Sequence, residues 1–67
     1  MNKAKAEFLI RGVKTTCRVN IPIWKAMKEK NISATGYLVV RSGILITDDE
    51  IIKPGDVLEL IPVVSGG

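Results

Sequence analysis

One stretch with helical spacing, PIWKAMKEKN (residues 22–31), stands between two pairs of alternating apolar runs. That order leaves a short chain few ways to fold. Ile23, Ala26 and Met27 fall at i, i+3 and i+4, so the helix has one apolar stripe to bury, with Trp24 beside it. Only a sheet made from the flanking runs is available to cover that stripe. Upstream, KAEFLIR (5–11) alternates, with Phe8 and Ile10 on one face and Glu7 and Arg11 on the other. Gly12-Val13-Lys14 reads as a turn. TTCRVN (15–20) alternates again, Cys17 and Val19 opposite Thr16 and Arg18, and the two runs predict an antiparallel hairpin. Pro22 suits a first helical turn, Asn20 reads as the cap, and Asn31 as a left-handed stop.

Downstream, GYLVVRSGILI (36–46) reads as strand, Ser42-Gly43 turn, strand. TDDE (47–50) has the spacing of a capping box over one helical turn. In KPGD (53–56), Pro54 presets φ at the second position of a β-turn and Gly55 accepts positive φ at the third. VLELIPVV (57–64) opens by alternating Val57 and Glu59 against Leu58 and Leu60. Pro62 has no N–H to donate, so pairing is expected to end there and the chain to leave the sheet. The expected fold class is α+β: a mixed sheet of four to five strands packed on one helix. If the first and last strands lie side by side in the middle they run parallel, and the helix supplies the crossover. Residues 1–62 are expected to form the domain and 63–67 a flexible tail.

Composition narrows the function. With 46% hydrophobic and 25% charged residues the chain is ordinary globular material, and at 67 residues it buries only about 60% of its unfolded surface. No apolar run approaches the roughly 20 residues that cross a bilayer, and Met1 to Arg11 lacks the apolar middle of a signal peptide; a soluble cytoplasmic protein with no membrane partner is expected. A single cysteine, Cys17, excludes an internal disulfide, and its inward strand position fits a small core hydrophobe rather than a sulfur-transfer thiol. The sequence has no histidine, which removes the commonest general base and metal ligand. Asp48-Asp49-Glu50 fits a cap better than a metal site, so neither an enzyme nor a metal protein is expected. Charge is uneven: residues 1–33 hold eight Lys/Arg against two acids (+6), and residues 34–67 hold two against five (−3). Basic Arg11, Lys14, Arg18 and Arg41 are candidates for steering toward an acidic enzyme surface, and equally for plain solvated surface.

Three stretches carry a family resemblance: Lys53-Pro54-Gly55-Asp56-Val57, the Leu60-Ile61-Pro62-Val63-Val64 strand, and Ser65-Gly66-Gly67 at the end. With the element order, Arg41 to Gly67 resembles the C-terminal half of the ThiS/MoaD family of β-grasp, ubiquitin-like sulfur carriers. Three features depart from the pattern, one being a first strand that lacks the F-G-x-L/A-R segment common in the molybdopterin branch. Arg41-Ser42 stands where the family usually places an Asn before the turn glycine, and a single Pro62 replaces the Pro-Pro frequent in the molybdopterin branch. The thiamine type is therefore the closer relative.

The resemblance implies that an E1-like enzyme uses ATP to adenylate the Gly67 carboxylate, and that sulfur then converts it to a thiocarboxylate. A sulfur-accepting synthase would be the second partner, in thiamine or molybdopterin biosynthesis or tRNA thiolation. No cofactor is expected to stay bound to the carrier; ATP belongs to the partner. Elementary chemistry agrees, because a free carboxylate is a poor electrophile and must be activated where water is excluded. A folded body cannot enter such a pocket but a thread can: Val63 to Gly67 spans roughly 17 Å when extended. Glycines at the tip pass a narrow channel. Val63, Val64, Ser65, Gly66 and Gly67 are the expected partner-binding residues, with the valines docking beside an apolar patch on the sheet. The same residues fit a ubiquitin-like modifier, joined through Gly67 to target lysines by isopeptide bonds. A TGS-like RNA-binding module shares the fold, but Phe8, Trp24 and Tyr37 form no interleaved stacking surface, which argues against nucleic acid.

Overall fold

The computed structural model describes residues 5–64. Five strands, β1 (Ala6–Ile10), β2 (Val13–Cys17), β3 (Tyr37–Arg41), β4 (Ile44–Ile46) and β5 (Val57–Pro62), form one sheet in the order β2-β1-β5-β3-β4. The helix α1 (Ile23–Glu29) lies across one face, a β-grasp arrangement. β1 and β5 are parallel at the centre, in register Phe8↔Leu58, and every other pairing is antiparallel. The side chains facing the helix make a single core: Phe8, Leu58, Leu60 and Val39 from the sheet, Ile23, Ala26 and Met27 from α1, and Ile52 from the β4–β5 connection.

Both hairpins turn on two residues with positive φ. Ser42 (53°) and Gly43 (78°) make the expected β3–β4 turn. The β1–β2 turn is Arg11 (52°) and Gly12 (81°), with Ile10 paired to Val13, so the expected Gly12-Val13-Lys14 turn is corrected by one residue. Two consecutive left-handed residues match the twist of the flanking strands, which is why so short a loop suffices.

The helix ends divide the expectations. Asn31 takes φ 62°, and the N–H groups of Asn31 and Ile32 bond to the carbonyls of Lys28 and Met27, a Schellman closure that brings Ile32 against the core. Asn20 is not the cap. It adopts φ 65°, Pro22 holds the cap position, and no side chain bonds there. The first helical N–H groups are satisfied from elsewhere: Ile23 donates to the Glu50 carbonyl at 3.0 Å and Trp24 to the Asp48 carbonyl at 2.9 Å. The TDDE stretch is accordingly not a helical turn with its own capping box. It is a turn, closed by Glu50 N–H on the Thr47 carbonyl at 3.3 Å, whose backbone caps α1.

KPGD turns as expected, with Asp56 N–H on the Lys53 carbonyl at 3.0 Å and Gly55 at φ 87°. The Asp56 carboxylate accepts the Lys53 N–H at 2.9 Å and lies 3.1 Å from the Arg41 guanidinium. Arg41 also donates to the Ile51 carbonyl at 3.1 Å, so one side chain ties the end of β3 to the segment that starts β5.

Candidate functional site

β5 sits between β1 and β3 and carries the chain toward its end. Tyr37 pairs with Pro62, and one further bond follows: Val63 donates to the Gly36 carbonyl at 2.9 Å. The sheet's grip thus reaches one residue past the proline, because Gly36 closes a short 3₁₀ turn (Ala34–Gly36) that presents its carbonyl to the departing strand. That turn was not anticipated. Beyond this bond Val64 is 88% exposed, and Val63 about half. Ser65, Gly66 and Gly67 lie outside the described residues.

The sheet has a second apolar face, turned away from α1. Pairing sets its members: Leu38 opposite Ile61, Val40 opposite both Glu59 and Leu45, and Leu9 opposite Glu59 on the other flank. Val57 lies on the same side, two residues before Glu59. Leu38, Leu45, Val57 and Ile61 are each exposed by 40% or more, while Leu9 and Val40 are half-buried. Val63 extends the row Val57, Glu59, Ile61 toward the tail. The face and the neck of the chain therefore form one continuous surface. An apolar surface left open in so small a body makes this face the candidate for an interaction site. Both sets of alternating β5 residues are apolar apart from Glu59, which is the signal in the sequence that would have exposed this face.

The four basic candidates separate. Arg18 makes a two-pronged contact with Glu29, at 2.7 and 3.1 Å, which joins the end of β2 to α1 and holds the Glu29 carboxyl below its usual range. Lys14 stands 4.0 Å from Glu7. Arg41 belongs to the structural clamp with Asp56 and Glu50. Arg11 has no ion-pair partner among the described residues, and its place beyond Leu9 in β1 puts it at the tail end of the sheet.

Cys17 is 5% exposed, and burial, its largest influence, pushes the thiol from the ordinary 9.0 up to about 11. A thiol held protonated is a poor nucleophile, in keeping with a packing role. Trp24 is 44% exposed beside the α1 stripe. No helix among the described residues is long and apolar enough to cross a membrane. Residues 19–67, well over half of the chain, match the model of the ThiS family. A search of curated proteins finds no match.

Proposed function

This chain belongs to the ThiS family, a family of sulfur carriers, and on that premise we propose that Gly67 is the acceptor of the sulfur and that the sheet's open face docks the enzyme that activates it. The observation that carries the reading is the continuity of that apolar face with Val63 and Val64 at the outgoing end of a central strand. An activating enzyme that covers Leu38, Ile61 and the valines fixes where the chain leaves the body, and so fixes how far Ser65, Gly66 and Gly67 reach.

The reaction follows from that reach. The Gly67 carboxylate attacks the α-phosphorus of ATP in the partner's dry pocket; the bond to pyrophosphate breaks and an acyl-adenylate forms. Hydrosulfide from a sulfur donor then attacks the acyl carbon, the bond to AMP breaks and a proton is lost, giving the thiocarboxylate. The carrier contributes position rather than acid–base chemistry, in keeping with a sequence that has no histidine, the commonest general base. Placement is strict, because displacements near 1 Å already cost about a hundredfold. The thiocarboxylate then donates sulfur to a synthase, and the single Pro62 favours the thiamine type of pathway, in the cytoplasm.

Deleting Gly67, or appending one alanine, leaves the melting curve unchanged and abolishes ATP–pyrophosphate exchange with the organism's E1-like adenylating enzyme. Normal exchange after either change refutes the proposal. On the wild-type protein the product is an oxygen-to-sulfur mass increase on the intact chain. Gly67 found instead in isopeptide linkage to target lysines would assign the modifier role.

A further inference from the structure

Glu59 occupies the middle of the open face. Leu9 and Val40 flank it on the two neighbouring strands, and Val57 and Ile61 flank it along β5. With Leu9, Val40 and Val57 it lines a shallow depression bounded at one end by Arg41 and Asp56. None of the ion pairs among the described residues includes Glu59; the acids that are paired are Glu7, Glu29, Glu50 and Asp56. In the free protein the carboxylate is exposed and hydrated. A partner that buries Leu38, Ile61 and Val40 must bury Glu59 with them, and an ion stripped of water without a counter-charge opposes binding strongly.

We propose that the activating enzyme presents a guanidinium to Glu59 from the middle of its own apolar docking surface, and that this pairing selects the partner. The inference rests on the sulfur-carrier reading above. A planar, weakly hydrated guanidinium suits a carboxylate that loses its water on docking, since it donates two parallel bonds and is itself cheaply desolvated. The same residue rejects other occupants. A purely apolar surface leaves the charge unpaired, and an acidic one repels it. A second copy of this chain, packed face to face about a two-fold axis through the centre of the patch, would bring Glu59 against Glu59. Glu59 thus lets a sticky surface stay unpaired until the right cation arrives.

The test uses Glu59→Gln and Glu59→Arg in the full chain, with the organism's purified E1-like adenylating enzyme and ATP. Because the side chain points away from the core, both variants keep the wild-type circular dichroism and melting temperature. Expected is a rise of about thirtyfold or more in the carrier KM of pyrophosphate exchange for Glu59→Gln, a larger rise for Glu59→Arg, and an unchanged kcat. Removing one member of a buried charge pair leaves the other stranded, which is the source of the loss. A Glu59→Gln KM within about twofold of wild type, the range of an ordinary surface substitution, overturns the inference while leaving the carrier function standing. So does a wild-type dimer in sedimentation that Glu59→Arg disperses, since the occupant is then a second copy. If the wild-type chain supports no exchange at all, the carrier reading fails and takes this inference with it.

Discussion

The two faces of the sheet are built from nearly the same residues and meet different fates. On one, Phe8, Val39, Leu58 and Leu60 are almost wholly covered by α1 and Ile52; on the other, Leu38, Leu45, Val57 and Ile61 remain in water. Hydrophobicity therefore does not say which side is core. Coverage does, and among the described residues there is one α-helix for two apolar sides of a sheet. The covered face makes the body stable, and the open one is the face we propose for docking.

Substitutions on β5 give the widest separation between the faces. Leu58→Ala removes a fully buried side chain next to Phe8 and costs about 2–5 kcal/mol in urea denaturation, a large part of what so small a domain possesses. Ile61→Ala, three residues on, stays within about 1 kcal/mol in the same assay while weakening the activating enzyme's hold. Equal losses of stability at the two positions would break the contrast.

Asp56→Ala probes the clamp at the edge between the faces. The Lys53 N–H and the Arg41 guanidinium both lose an acceptor, and a loss of about 1–3 kcal/mol is expected in thermal denaturation. Cys17 sharpens the comparison from the covered side through pH. Its thiol is harder to ionise folded than unfolded, so the native state keeps its full advantage below pH 9 and loses it as the pH rises toward about 11. Wild-type urea midpoints should fall more steeply over that interval than those of Cys17→Ala; parallel curves would mean the thiol is not shielded. The smallest effect is expected at Arg18→Ala, whose exposed contact with Glu29 should leave the melting temperature barely changed.

Much of this was legible residue by residue. The Ser42-Gly43 hairpin, the Asn31 stop and the KPGD turn follow from local chemistry that tertiary contacts leave alone, and the first and last strands do lie side by side, the condition on which a parallel pair was expected. The errors share a cause. Arg11 takes a left-handed turn position that its residue type rarely adopts, and only the register of β1 on β2 demands it. Asn20 and TDDE each carry the signature of a helix cap, but α1 draws its caps from the carbonyls of Asp48 and Glu50, a long-range arrangement invisible in sequence spacing. At the site, Val63 and Val64 were readable as surface because Pro62 ends the strand. Leu38 and Leu45 were not, since an apolar strand residue looks the same whether a helix covers it or not; the charge of Glu59 among apolar neighbours was the one hint of the open face.

The placement of β5 also has a mechanical side. The strand is laced on both flanks, to β1 running with it and β3 running against it, and Val63 adds a final stitch to Gly36. Tension applied at the outgoing end loads those two ladders in shear, many bonds at once, instead of peeling them open singly. The globule can be hauled by its tip and released without unravelling.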